Sequence, residues 1–287
     1  MEDRSSQRGW ALVSVLWGLV IISLIAAVML SSARVSYRQA AYSVEQAQEH
    51  ARADAAMVRA VLGLLDTRLD HRWRIDGIGQ SWTFDGHDMR VAVQDEGGKI
   101  DLNASGDVAI RQLLNGIGPD AAGLADKILD WRDQKGDLHR INGATAKTYV
   151  AAGRDYLPRG GPYQSVDELK LVLGMTPALF AQLGPNVTVN SGRSKVNFST
   201  APAAVLMALL GQGSAVAAAT VAARQGAVEQ VQGQPIINGV VALGIPIDGW
   251  VFSIKVDSAR SRTPSNRMVM VTGTDHGGRY YRELASP

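Results

Sequence analysis

The feature that most constrains this chain is the span from Trp10 to Ala33, in which no side chain is charged. As an α-helix rising 1.5 Å per residue, its 24 residues would extend about 36 Å, enough to cross a bilayer core of about 30 Å. A secretory signal peptide has a shorter apolar region of about 7–15 residues, so a membrane anchor is favoured. Cleavage after Ser31-Ser32-Ala33 by signal peptidase stays an alternative, and the flanking charges leave the orientation open.

The helix is expected to continue beyond the membrane, because neither proline nor glycine occurs between Leu19 and Leu62. Small and apolar residues then recur at steps of three and four, a spacing typical of an amphipathic helix. They are Val44, Ala47, Ala51, Ala55, Val58, Leu62 and Leu65. We therefore predict one helix from about residue 10 to about residue 70, apolar all round at first and amphipathic afterwards.

Strand-like alternation of apolar and polar residues occurs at both ends of the remaining chain. Near the first end it predicts a short antiparallel meander over residues 81–102, with turns at Asp85-Gly86 and Glu96-Gly97-Gly98. Near the second end it predicts strands over 250–256, 268–274 and 280–284, with a turn at His276-Gly277-Gly278.

The middle of the chain has a helical pattern. It predicts short helices over residues 107–115, 121–133, 165–173, 177–182, 201–210 and 215–224. The simplest assembly is an α+β fold, in which the long helix packs its amphipathic half on an antiparallel sheet. The predicted core comprises residues 34–103 and 241–287, with a large α-helical insert over residues 104–240 between its strands.

Composition excludes several classes of function. Lys and Arg number 29 against 27 Asp and Glu, a balance that argues against a protein that coats polyanions. Cysteine is absent, which excludes disulfides, cysteine zinc sites and thiol nucleophiles. The sequence contains no G-x-S-x-G, H-E-x-x-H or Walker A motif, so we predict that the chain is not an enzyme.

A helix-hairpin-helix pattern occurs at residues 114–119, where Gly116 and Gly118 flank Ile117. In DNA-binding proteins, the backbone amides of such a hairpin contact phosphate. Here Asp120 follows directly, and residues 104–160 carry eight basic and seven acidic side chains, a weak electrostatic footprint for a duplex. A structural hairpin is favoured, and a membrane-anchored nucleic-acid binder that uses this segment is the alternative function.

The N terminus resembles a type IV pilin-like leader, because Gln7-Arg8-Gly9 runs directly into the apolar span. Further stretches, in the same order along the chain, are similar to general secretion pathway protein K, the large minor pseudopilin family of the type II secretion system. These stretches are DEGGKIDLN at 95–103, DWRD at 130–133, YQSVDEL at 163–169 with LGMT at 173–176, and VNFSTAP at 196–202.

The resemblance implies that residues 1–9 are a leader, that prepilin peptidase cuts after Gly9, and that the new amino group of Trp10 is methylated. It implies a single-pass inner-membrane protein with transmembrane residues 10–33 and a C-terminal domain in the periplasm. The fifth mature residue is Ser14, where most pilins have a glutamate and this family does not. A subunit without that carboxylate cannot pair with the amino group of the subunit ahead, which suits the leading end of a filament.

The implied function is a minor pseudopilin that caps the tip of the periplasmic pseudopilus and primes its assembly for protein export across the outer membrane. The implied partners are the minor pseudopilins I and J, the major pseudopilin filament and prepilin peptidase, and no nucleic acid is expected. The insert would be of the SAM-like or helix-hairpin-helix-like type. Val44, Ala47, Ala51 and Ala55 are candidates for an interface with partner helices, because small side chains let helices approach closely. Packing of these residues on the protein's own sheet is the alternative.

Calcium is the one metal that the resemblance brings in, because some members of the family bind it in the helical domain. Where relatives often have acids, this chain has Thr145 and Lys147, which weakens the expectation. Asp133 and Asp137 remain the candidate ligands, in a loop whose alternating acids partly resemble an oxygen-ligand loop. A solvated turn is the favoured interpretation, and no other cofactor is expected.

Overall fold

The computed structural model describes residues 4–66, 73–133, 140–211, 215–220, 222, 249–258, 264–272 and 280–284. It divides into two compact units, residues 1–54 and 55–287. Helix α1, Arg4–Leu65, is continuous and contributes residues to both. The prediction of one long helix is confirmed, although it ends at Leu65 rather than near residue 70.

The first unit consists of the N-terminal part of α1. Its described side chains between Trp10 and Leu30 are exposed, and by length and composition this helix could cross a membrane. A mainly apolar, exposed helix of this length would be unstable in water and stable in lipid, where its backbone hydrogen bonds are satisfied internally.

The second unit combines strands with short helices. The strands are β1 Gln80–Phe84, β2 His87–Asp95, β3 Ile100–Asp101, β4 Val187–Thr188, β5 Val251–Ser258, β6 Ser265–Val271 and β7 Tyr281–Leu284. The further helices are α2 Asp107–Ile117, α3 Pro119–Ala122, α4 Ala125–Arg132, α5 Ala146–Ala151, α6 Pro177–Leu183 and α7 Ala203–Leu210. The predicted α+β class is confirmed.

Five strands form an antiparallel sheet in the order β1-β2-β5-β6-β7. Strand β2 pairs with β5 from Met89 to Asp95, and Asp95 at the end of β2 lies opposite Phe252. The chain therefore leaves the sheet after β2 and re-enters it at the neighbouring strand. The predicted strands at both ends of the soluble part are confirmed, whereas the turn predicted at residues 276–278 lies outside the described residues.

The hydrophobic core under this sheet is closed by the last turns of α1. Val91, Val93, Phe252, Ile254 and Val269 are buried on the sheet side. The helix contributes Ala56, Met57, Ala60, Val61 and Leu64.

This contact corrects one part of the predicted stripe. Val58 and Leu62 were placed on the face that meets the sheet, but they are 42% and 59% exposed. Residues 56–65 are apolar on more than one side, so spacing alone does not select the buried face. The selected face carries Ala56 and Ala60, whose small side chains let the helix approach the large residues of the sheet.

The helices between β2 and β5 enclose a second hydrophobic core, separate from the first. Its largest fully buried side chains include Tyr149, Leu113, Ile128 and Leu206. The helix predicted over 121–133 is interrupted at Gly123, so that α3 and α4 are separate, and glycine is among the poorest helix formers. Helix α5, capped by Thr145 and Thr148, was not predicted.

Three other expectations in this region change. Residues 166–171 form a 3-10 helix rather than an α-helix. Of the helix predicted over 215–224, residues 215–220 and 222 are helical and the rest lie outside the described residues. The strand at Ile100 does not continue the meander, because a 3-10 turn at Glu96–Gly98 diverts the chain and β3 pairs in parallel with β4.

Candidate functional site

The predicted leader junction lies in the first unit. Gly9 and Trp10 are both helical residues of α1, and the Trp10 side chain is 78% exposed. Cleavage after Gly9 and methylation of Trp10 stay predictions.

The candidate partner interface lies farther along the same helix. Val44, Ala47 and Ala51 are exposed in the first unit, and Ala55 is half-buried in the second. Their role as a partner interface stays a prediction.

The candidate metal ligand Asp133 lies directly after α4, and Asp137 lies outside the described residues. A carboxylate oxygen of Asp133 is 2.6 Å from a guanidinium nitrogen of Arg140. The same nitrogen is 2.8 Å from Asp130, and the second terminal nitrogen of Arg140 is 2.8 Å from Asp107. Three carboxylates thus converge on one arginine, and we call this group the Arg140 cluster.

The charges of the Arg140 cluster stabilise one another. Burial lowers the pKa of Arg140, but its hydrogen bonds to Asp107, Asp130 and Asp133 outweigh this and hold its pKa above the ordinary value. Burial raises the pKa of Asp107, but Arg140 and Arg132 outweigh it and hold that pKa below its ordinary value. Within the cluster, Arg140 and Asp107 therefore each favour the charged state of the other.

Calcium does not fit Asp133 as the structure stands, because a guanidinium already occupies the position between the carboxylates. Among the described residues, no group of three or more His, Cys, Asp or Glu side chains is arranged to hold a metal ion. The candidate calcium ligand Asp133 is therefore one member of an ion-pair network around Arg140.

The stretch at 95–103 carries three buried carboxylates that sequence reasoning did not single out, Asp95, Glu96 and Asp101. Asp95 accepts hydrogen bonds from the Gly97 amide at 2.9 Å, from Asn197 at 3.0 Å and from the Thr200 hydroxyl at 2.9 Å. Burial raises the pKa of Asp95, and these hydrogen bonds offset only part of the rise. Asp95 therefore joins the end of β2 to the segment at 196–202.

Asp101 forms the second joint. One of its oxygens accepts hydrogen bonds from the amides of Asn103 and Ala104, and the other accepts them from the Ser191 hydroxyl and the Gly192 amide. Two of the stretches that carry the family resemblance, 95–103 and 196–202, are in direct contact through Asp95. Sequence reasoning missed these contacts because Asp95 and Asp101 lie about 100 residues from most of their partners in the chain. No local spacing rule connects residues at such a separation.

Gly98 explains why this contact is close. A side chain at Gly98 would come within 2.7 Å of the Thr200 carbonyl group, so only glycine fits without displacing the backbone. The Asn197 amide also donates to the Gly97 carbonyl at 2.8 Å. The junction between the sheet and the helical part is therefore a fixed, hydrogen-bonded connection.

The helix-hairpin-helix pattern forms a structural hairpin. Helix α2 ends at Ile117 and is capped by Gly118, whose φ of 146° favours glycine, and α3 begins at Pro119. Leu114 and Ala121 are buried in the second core. Arg111, the basic side chain of α2, pairs with Asp126 at 2.5 Å. Nothing in this geometry favours nucleic-acid binding.

Three comparisons with known proteins agree on one family. The family model for type II secretion system protein K matches residues 91–192. The type II secretion system protein K of Pseudomonas aeruginosa is 26% identical over 230 residues, which cover 72% of this chain and 69% of that protein. The protein of the same name from Klebsiella pneumoniae is 29% identical over 219 residues, covering 68% of this chain and 66% of that protein.

The fold has a counterpart among solved structures. A chain from the crystal structure of the GspK-GspI-GspJ complex of enterotoxigenic Escherichia coli matches with a TM-score of 0.52 and 15% sequence identity. The match covers 85% of this chain and 99% of that chain. The residues matched by the family model, 91–192, include Asp95, Asp101 and the Arg140 cluster and end before Asn197 and Thr200. In its motifs and its relatives the chain is similar to the type II secretion system protein K family, and its fold is similar to that of a chain from the GspK-GspI-GspJ complex.

Proposed function

We propose that this chain is a minor pseudopilin that caps the tip of the periplasmic pseudopilus and primes its assembly for protein export across the outer membrane. The observation that carries the proposal is the exposed apolar surface of α1. Val58 and Leu62 face away from the sheet, while Ala56 and Ala60 on the other side of the same helix are buried. An exposed apolar stripe on a structural helix marks a surface for a partner.

The sequence of α1 supports a place at the leading end. A carboxylate at Ser14 would need a cationic partner in lipid, and serine carries no such charge. The subunit therefore needs no neighbour ahead of it. The helical part between β2 and β5 is also easiest to accommodate where no subunit lies above it.

The proposed partners on the α1 surface are pseudopilins I and J, with the major pseudopilin filament below them. The structurally similar chain comes from the GspK-GspI-GspJ complex. Ala47 and Ala51 would let a partner helix approach closely. The role is structural and non-enzymatic.

The interface is tested with Ala47→Leu and Ala51→Leu in the full chain, purified in detergent together with pseudopilins I and J. We expect less co-purified I and J and an unchanged melting temperature of the chain itself. The matched control is Ala60→Leu on the buried face, where overpacking costs about 1–3 kcal/mol and should lower the melting temperature. A lower melting temperature for Ala51→Leu with undiminished partner recovery would contradict the interface.

The proposal also includes processing by prepilin peptidase and insertion in the inner membrane with the C-terminal domain in the periplasm. We expect the intact mass of the membrane-extracted protein to fit a chain that begins at Trp10 and carries one methyl group. Gly9→Leu should leave the leader uncleaved. A mature chain that begins at Arg34, as signal peptidase would produce, would contradict this part of the proposal.

A further inference from the structure

The Arg140 cluster joins the start of α2 to the end of α4 through one side chain. Asp107 begins α2, Asp130 lies in the last turn of α4, and Asp133 directly follows α4. Arg140 contacts all three carboxylates at 2.6–2.8 Å, and its side chain is only 15% exposed. A single positive group thus bridges oxygen ligands from two helices and a loop, which is how divalent cations hold protein segments together.

A second observation indicates a surplus of negative charge at the same point. One oxygen of Asp130 is buried, and within the described residues it has no hydrogen-bond partner. This oxygen lies against the backbone of Gly143, in the space that any larger residue would fill with its side chain. The cluster therefore contains a carboxylate oxygen that the guanidinium does not satisfy.

We propose that Arg140 is the permanent cation of this cluster, so that the helical part of this chain folds without calcium. The guanidinium supplies the positive charge and several N–H donors in fixed directions, whereas a calcium ion would supply charge alone. Arg132 adds a second positive charge at 2.9 Å from Asp107. Two arginines thus balance most of the charge of the three carboxylates.

Removal of Arg140 should turn the cluster into a cation-dependent one. Asp130 and Asp133 bind the same guanidinium nitrogen, so they would face each other across the space that it leaves. Two negatively charged carboxylates on either side of one small space repel each other. Calcium would relieve this repulsion, because it accepts oxygen ligands in flexible geometry. The free oxygen of Asp130 would be available as a further ligand.

The test is thermal unfolding of the full chain in detergent, monitored by circular dichroism, once in calcium and once in EGTA. Wild-type protein should melt at the same temperature in both. Arg140→Ala should melt at least about 4 °C lower than wild type in EGTA, with part of the loss restored by calcium and little by magnesium. The matched control is Arg159→Ala, which breaks the pairing with Glu168 and should melt lower in both buffers alike.

Three results would overturn the proposal. The first is a wild-type melting temperature that rises with calcium, which would show that Arg140 does not suffice. The second is Arg140→Ala with equal stability in calcium and in EGTA. If Arg140→Ala yields no folded protein in EGTA, it is purified in calcium throughout, and failure there is the third. Arg140→Lys keeps the positive charge, so its melting temperature should be the same in calcium and in EGTA.

Discussion

At the scale of single residues, buried carboxylates that each accept several hydrogen bonds connect the sheet to the helical part of the second unit. Asp95 is 1% exposed and accepts three hydrogen bonds, two of them from side chains more than 100 residues away. Removing a buried acceptor of this kind destabilises a protein mainly because its hydrogen-bond donors stay buried without a partner. The junction should therefore be sensitive to the shape of this side chain.

We expect Asp95→Ala to destabilise the protein by about 2–4 kcal/mol, because it leaves the Gly97 amide, Asn197 and Thr200 without their acceptor. Asp95→Asn keeps one acceptor oxygen and should cost less. Urea unfolding of the full chain in detergent measures both, with Asp167→Ala at an exposed ion pair as the control. Equal losses for the alanine and asparagine variants would contradict this role.

Tyr149 predicts how stability changes in alkali. Its buried hydroxyl accepts a hydrogen bond from the Leu173 amide at 3.2 Å, and burial raises its pKa from 10.0 to about 12. A raised pKa means that the folded state favours the neutral phenol, so this stability is complete below pH 10 and is lost between about pH 10 and 12.

The melting temperature of wild-type protein should fall over that range, and it should fall less in Tyr149→Phe, which cannot ionise. Tyr280→Phe at an exposed site is the control and should follow wild type. Equal slopes for wild type and Tyr149→Phe would count against a buried phenol.

At the scale of elements, close approach decides which face of α1 is used. A side chain at Gly63 would overlap the ring of Trp73, so the helix and this tryptophan meet over a glycine. Gly63→Ala should therefore cost about 1–3 kcal/mol by overpacking. Gly123→Ala is the matched control, because its φ of −64° suits alanine and its nearest contact is an ordinary 3.6 Å. Denaturant unfolding should separate the two, and an unchanged Gly63→Ala would contradict the packing described.

Element positions were largely predictable where periodicity is local and strong. Met89, Val91 and Val93 alternate with small or polar residues and form part of β2. The absence of proline and glycine between Leu19 and Leu62 predicted the continuity of α1. The parallel pairing of Ile100 with Val187 was not predictable, because it joins residues 87 positions apart in two-residue strands. The buried face of α1 was missed because the choice depends on the sheet that covers it.

The candidate site was predictable in part. The stretches at 95–103 and 196–202 were visible in the sequence, but their mutual contact through Asp95 depends on the tertiary fold. Asp133 stood out as an acid in a loop, and its partner Arg140 did not, since no spacing rule connects an arginine to three carboxylates on other elements.

At the scale of the whole molecule, the second unit has two hydrophobic cores with separate members. The core under the sheet is built from residues 56–93 and 250–271, and the helical core from residues 100–217. We therefore expect that deletion of residues 104–240 leaves a protein that folds. Circular dichroism of the deletion variant, produced together with pseudopilins I and J, should show a cooperative melt.

Asp95 would lose Asn197 and Thr200 in that variant, so adding Asp95→Asn should raise its melting temperature. A product that stays unfolded with both partners supplied would contradict the independence of the sheet core.

The neighbouring positions of β2 and β5 have a mechanical consequence. The two ends of the helical part are joined to the adjacent strands β2 and β5. A pulling force that passes from α1 into the sheet is therefore carried by the hydrogen bonds between these strands, where Asp95 lies opposite Phe252. The helical part branches off at these two strands, so a force that passes through the sheet need not pass through it. A change in the size or surface chemistry of the helical part would therefore leave the pairing of β2 with β5 in place.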